Sequence, residues 1–168
     1  MAHAELLQPF ILQWEGGFVN DPLDKGGATN KGITIGTFRQ FYGKNATVEQ
    51  LKHITDAQWL HIFKSGYWDR WRADQISNQS VADILVDWVW ASGVHGIKIP
   101  QRVLGVVADG IVGPKTIAAL NAQEPAAFFA RIHDERIRFV EDIVRRNPTQ
   151  ARFLKGWKNR INDIKFRA

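Results

Sequence analysis

The sequence predicts a mainly α-helical fold with one short β-hairpin near residues 30–37, and three observations lead there. Apolar residues recur at helical spacing along most of the chain. Two T-x-x-Q capping boxes, Thr47 to Gln50 and Thr55 to Gln58, mark helix starts. Only the stretch from Asn20 to Gly36 turns rich in Asn, Asp, Gly and Thr, the composition of loops and tight turns. With 168 residues, 45% of them hydrophobic and 23% charged, the chain can bury a core without staples. Cysteine is absent, which excludes disulfides, thiolate nucleophiles and cysteine metal sites, and leaves the redox compartment open.

Taken in order, Leu7, Phe10, Ile11 and Trp14 fall on one face of a first helix, which runs into Glu15 and is stopped by Gly16 and Gly17. Loop follows to Gly36, with the hairpin around Ile33 to Ile35. Each capping box opens a helix, the second carrying Trp59, Ile62 and Phe63 on one side. Val81 to Ser92 is apolar nearly all round and closes at Gly93, the signature of a centrally buried helix. Pro114, after Gly113, sits where a first helical residue is favoured and opens a short helix to Leu120. Pro125 opens a longer one that ends at Asn147-Pro148. Phe153, Trp157, Ile161 and Ile164 belong to a last amphipathic helix.

The candidate boundary is Gly93 to Pro100. It separates residues 1–93, which hold Glu15 and the central buried helix, from a C-terminal helical lobe, 94–168. A helix with no polar face needs neighbours on all sides, so both lobes are expected to share it in one core, as a single compact unit.

The net charge is +5, and Lys and Arg are densest from Arg131 to Lys165. A basic surface favours anionic partners. Spread as they are, these residues read as a solvated helix face rather than a nucleic-acid site. No apolar run reaches bilayer length, and Met1 to Trp14 has no basic n-region, so neither membrane insertion nor a secretory signal is expected. The five histidines show no metal spacing, and no phosphate loop or dinucleotide fingerprint occurs, so no metal and no cofactor are expected.

The chemistry concentrates after the first helix. A negative charge at a helix C-terminus is unfavourable, so Glu15 asks for another reason to be there. A general acid needs to hold its proton near neutrality, which a partly apolar setting favours. Asp21 and Asp24 follow in the loop, and glycosidases of the common type use two carboxyl groups. Taken singly, both aspartates are turn formers, and Asp21-Pro22 is an ordinary turn opener. Trp59, Tyr67, Trp68 and Trp71 form an aromatic-rich stretch in which core packing competes with stacking on sugar rings.

Trp14-Glu15-Gly16-Gly17-Phe18, followed by Asn20-Asp21-Pro22, Asp24, Gly26-Gly27, Thr29 and Gly32-Ile33-Thr34, resembles the signature of glycoside hydrolase family 108. Those are N-acetylmuramidases of phage-endolysin and secretion-associated type. The resemblance continues downstream through Tyr67-Trp68, Asp87, Ser92-Gly93, Gln101, Leu104-Gly105-Val106, Asp109-Gly110, Gly113-Pro114 and Thr116, which match the family's C-terminal part, and the lobe 94–168 resembles its predicted peptidoglycan domain. It covers nearly the whole chain. Phe18 replaces the usual Tyr, and Ala91 stands where the family commonly has Asn, so a polar role at that position is lost here. Glu15, Asp24 and Thr29 are also similar in spacing to the Glu-Asp-Thr set of phage-type lysozymes, with the last gap one residue short, which keeps Thr34 as a rival.

The resemblance implies a lysozyme-like helical fold in which 1–93 is the catalytic lobe. It implies cleavage of the β-1,4 bond between N-acetylmuramic acid and N-acetylglucosamine in peptidoglycan. Glu15 would protonate the leaving oxygen, Asp24 would support the cationic transition state or the water, and Thr29 would hold that water. Asp21, Thr34, Tyr67 and Trp68 are expected on the substrate side. The Asp109 to Thr116 run is also similar to peptidoglycan-binding modules. Glycan strands are the expected partner, and a chain made in the cytoplasm without a signal would need a holin or secretion system to reach the periplasm or wall. A non-catalytic wall-binding or secretion-accessory protein and a lytic transglycosylase are the alternative readings.

Overall fold

Helices α1 (Gln8–Trp14), α2 (Ile35–Tyr42), α3 (Val48–Lys52), α4 (Asp56–Phe63), α5 (Gln79–Ser92), α6 (His95–Leu104), α7 (Pro114–Asn121), α8 (Pro125–Arg146) and α9 (Leu154–Asp163) account for most of the chain. Strands β1 (Thr29–Asn30) and β2 (Ile33–Thr34) form its only sheet, and a π-helical turn spans Lys64–Trp68. The structure is a computed structural model that describes every residue, Met1–Ala168. Two compact units are distinguished: Ala4–Gly66, and Met1–His3 together with Tyr67–Ala168.

In the first unit the hairpin is a two-residue turn, with Asn30 opposite Ile33 and Thr29 opposite Thr34. Its central residues, Lys31 and Gly32, have φ of 52° and 81°. Positive φ at both positions is the type I′ geometry, whose twist matches that of the flanking strands. Asn30 is buried, and its side-chain amide donates to the carbonyls of Leu51 and Lys52, both at 3.0 Å. The hairpin is thereby fastened to the C-terminal end of α3, whose last carbonyls have no intrahelical partner. Trp59 adds a second tie, its indole N–H donating to the Lys31 carbonyl at 2.9 Å while its ring stacks on Phe63.

Both expected capping boxes form. Thr47 and Thr55 accept from the backbone N–H of Gln50 and Gln58, and each glutamine side chain accepts in return from its threonine's N–H. Helix α2 was not anticipated: its first two residues fall in the stretch expected as loop to Gly36, and the rest carried no assignment. It begins directly on β2, because Thr34 doubles as last strand residue and N-cap, its Oγ1 accepting from the Thr37 N–H at 3.1 Å.

In the second unit α5 packs against α6 and α8, and α8 against α9. Asn78 caps α5, accepting from the Val81 N–H. The expected helices at Pro114 and Pro125 both form with proline in the first turn. Gly93 to Pro100, expected as a boundary, holds most of helix α6. Two residues that usually break helices are accommodated there. Gly96 lies so close to α5 that an added Cβ would sit 2.7 Å from Trp88 and Val89 backbone atoms. Pro100 has no N–H to give the Gly96 carbonyl four residues back, and that carbonyl instead accepts from the Trp71 indole at 3.1 Å.

Helix α5 carries one fully buried charge in its apolar surround. Asp87 accepts from Arg136 of α8 at 3.0 Å through one carboxylate oxygen and from Arg160 of α9 at 2.8 Å through the other. An apolar helix can bury a carboxylate only when it is paired and hydrogen-bonded in this way. The ion triad thus ties three helices together.

Candidate active site

Glu15 is the C-cap of α1. Its N–H still donates to the Ile11 carbonyl at 3.0 Å, while its ψ of 147° turns the chain out of the helix into an extended run. That run lies along the hairpin. The Gly16 carbonyl accepts from the Lys31 N–H at 3.1 Å, and Val19 and Thr29 exchange backbone hydrogen bonds at 2.9 and 2.8 Å. Glu15 is therefore held at the junction of a helix end and a β-hairpin, its side chain partly exposed.

Gly16 and Gly17 are both exposed, and a Cβ built on either would meet nothing within 4 Å. Neither has a positive φ. The fold does not itself require glycine at these two positions, and their small size leaves open space next to Glu15.

Asp21 and Asp24 both act as turn formers. The Asp21 carboxylate accepts from the Leu23 N–H at 2.9 Å and the Asp24 carboxylate from the Gly26 N–H at 2.8 Å. Both are exposed. Backbone bonds from Asp24 to Asp21 and from Gly27 to Asp24 compact the loop between Val19 and Thr29. Thr29 is partly buried and stands directly across the sheet from Thr34, so the two threonines present their side chains on one face. Thr34 is engaged as the α2 cap, whereas Thr29 has no such local task in the turn.

Tyr67 and Trp68 lie in the other unit. Tyr67 is partly exposed, its ring 4.6 Å from that of Trp90. Trp68 has no exposed surface, and its indole N–H donates to Asp74 at 2.8 Å. This corrects the expectation of a sugar-facing ring, since packing and a hydrogen bond take up both its faces and its polar tip. Nowhere do three or more His, Asp or Glu side chains gather as a metal site would require.

A second polar arrangement lies beyond α6. Gln101 is fully buried; its amide donates to Asp109, to the Ile111 carbonyl at 3.0 Å and to Thr116, and its oxygen accepts from the Gly110 N–H at 2.9 Å. The Ile111 N–H donates to Asp109 at 2.9 Å and holds that carboxyl below its usual range. The loop so braced walls a cleft of about 670 Å³, which also takes in Gly105, Pro114 and Lys115 and is rimmed by exposed Val107 and Ile111.

Comparison with known families now decides the relationship. The profile of Glycosyl hydrolase 108 matches residues 8–93, just over half the chain. The chain belongs to glycosyl hydrolase family 108. Residues 95–162 match a second profile, the Predicted Peptidoglycan domain, and the braced Gln101 to Thr116 segment falls inside it. Among solved structures the chain is similar to Brucella abortus SagA, with 29% identity over 96% of this chain and 90% of that one, at a TM-score of 0.78. Comparison with curated proteins finds no match. The fold is thus mainly helical and lysozyme-like, and the two matched domains make the chain a glycoside hydrolase of peptidoglycan, acting at the cell wall. No helix is long and apolar enough to cross a membrane.

Asn30, Gln101 and the Arg136–Asp87–Arg160 triad were not singled out by the chemistry read from the sequence. Asp87 and Gln101 entered only as matched positions. The available signal was a lone carboxylate in an otherwise apolar helix, which calls for a cation from another element.

Proposed function

We propose that this family member is an N-acetylmuramidase that cleaves the β-1,4 bond between N-acetylmuramic acid and N-acetylglucosamine, with Glu15 as general acid. The observation that carries the reading is the placement of Glu15. It stands at a helix end, anchored through its backbone, and is followed by two glycines that nothing in the fold requires. Glycine is favoured where a ligand must approach the backbone closely. In this reading a glycan strand lies over Gly16 and Gly17, and Glu15 gives its proton to the departing glycosidic oxygen. Asp24 supports the positive charge that develops on the sugar, or the attacking water, and Thr29 orients that water with Thr34 beside it. Asp21 shapes the loop, Tyr67 supplies a ring for sugar contact, and the cleft at Val107 and Ile111 holds the wall. Export through a holin or a secretion system belongs to the same proposal.

One observation favours a second reading. The Asp24 carboxylate already serves a turn, and a lytic transglycosylase needs only one catalytic carboxyl group. Digestion of purified peptidoglycan with mass analysis of the products separates the two. Reducing muramic ends support the muramidase, anhydro-muramic ends the transglycosylase, and no products a wall-binding or secretion-accessory role. The Glu15→Gln variant should fold as wild type and lose activity about a thousandfold, because the substitution keeps shape but removes the transferable proton. Retention of more than about a tenth of the rate would remove Glu15 from the acid role. For the muramidase, Asp24→Asn should lower kcat more than Asp21→Asn does.

A further inference from the structure

Val107 and Ile111 stand 77% and 72% exposed on a loop that is otherwise firmly braced. The buried Gln101 side chain accepts from the Gly110 N–H and donates to the Ile111 carbonyl. Gly110, at φ 78°, lies so close to the start of α6 that an added Cβ would sit 2.6 Å from the Val94 side chain. A loop pinned in this way holds its two apolar side chains out in water. Single exposed apolar residues are ordinary, but these two flank one cleft of about 670 Å³. Val106 and Pro114 continue its apolar lining, and Asp109 and Lys115 are its only charged side chains. A mostly apolar cleft of this size with a few polar groups has the make-up of a ligand site.

Its polar groups are unevenly available. Asp109 already accepts from the Ile111 N–H and the Gln101 amide and has the Lys98 charge nearby, and the Thr116 hydroxyl accepts from Gln101. Lys115, in the first turn of α7, is exposed and enters no ion pair. No aromatic ring lines the cleft. A glycan strand offers hydroxyls and flat ring faces, and here neither free side-chain amides nor aromatic faces meet them. A peptide of small aliphatic residues with free carboxylates matches what is present. We propose that the cleft takes the peptide stem of peptidoglycan and not its glycan, with the stem's methyl groups on Val107, Ile111 and Pro114 and a carboxylate at Lys115. Peptidoglycan as the source rests on the reading given above, whereas the preference for peptide over sugar rests on the lining alone.

The test titrates the full chain with the stem peptide N-acetyl-L-Ala-γ-D-Glu-L-Lys-D-Ala-D-Ala, with the same peptide amidated at both carboxylates, and with tetra-N-acetylchitotetraose as a peptide-free glycan. The backbone N–H signals of Gly110, Ile111 and Gly113 are followed by NMR at constant ionic strength and pH. Saturable shifts with the stem peptide and none with the oligosaccharide are expected. Contact with an isoleucine outweighs an exposed ion pair, so the two side chains should differ in effect. Ile111→Ser should weaken binding at least about tenfold at an unchanged melting temperature, since the side chain contributes little to the core. Lys115→Gln should weaken the acid form only about two- to fivefold and leave the amidated form unaffected. Saturation by the oligosaccharide, no saturable shift with the stem peptide, equal affinity for its acid and amidated forms, or undiminished binding in Ile111→Ser would overturn the proposal. Product analysis of digested peptidoglycan reads the muramidase assignment separately: stem binding without reducing muramic ends would sink that assignment and leave this one standing, and reducing ends without stem binding would do the reverse.

Discussion

Asp83 shows how burial on α5 acts on a single residue. Desolvation pushes its carboxyl up from 3.8 to about 6, against the pull of a Gln79 hydrogen bond and the Arg167 charge. A carboxyl raised in this way favours the folded state when protonated. Its contribution is fully present below about pH 4 and is lost as pH rises through about 6. Asp83→Asn removes that titration, so the variant should gain on wild type progressively from pH 4 to pH 7, on the order of 2 kcal/mol at the upper end. Denaturant melts at pH 4, 5.5 and 7 check it, and a difference independent of pH would contradict it. Residue identity is where the sequence was least informative. Trp68 and Trp71 look alike along the chain as stacking candidates, yet each spends its indole N–H inside the fold, on Asp74 and Gly96. Nothing local to either distinguishes a packed ring from an exposed one.

Among elements, those with their signals inside one turn were legible and those defined by tertiary contacts were not. The capping boxes at Thr47 and Thr55 and the prolines opening α7 and α8 act within a few residues, and all four helices start where expected. Helix α6 was hidden because its glycine and its proline answer to other elements: Gly96 to the α5 backbone, Pro100 to an indole that takes over the orphaned carbonyl. Helix α2 was hidden because its cap is a strand residue. The α5–α6 approach gives a direct test. Gly96→Ala forces a methyl against backbone, which cannot yield as a flexible side chain would. The cost should be about 1–3 kcal/mol, a fall in melting temperature of roughly 3–10 °C at this chain length. Calorimetry decides, and a wild-type melting temperature would mean the two helices can part at no cost.

For the whole molecule, the family profile ends at residue 93, yet α5, inside that segment, packs on α6 and α8, which lie outside it. We propose, as the sequence led us to expect, that residues 1–93 are not an independent folding unit. Expressed alone, they would expose Ile84, Leu85, Trp88 and Val89, each worth about 1.5–3 kcal/mol when buried, against a total stability of about 5–15 kcal/mol. The fragment should lack a cooperative melt by circular dichroism and should not lyse walls; a soluble, cooperatively melting, active fragment would establish two autonomous domains. The apolar surround of α5 made its burial on all sides readable, while the loop geometry around Glu15 was not, since hairpin closure rests on long-range backbone pairs. The Asn30 amide has a consequence of its own. By gripping the Leu51 and Lys52 carbonyls it denies the hairpin a private fluctuation, because releasing β1 strands a buried amide and uncaps α3 at once. Opening of the sheet and fraying of that helix therefore become a single event with a single free energy. In native-state hydrogen exchange, the amide protons of Thr29 and Leu51 should converge on the same opening energy, and Asn30→Ala should lower both together.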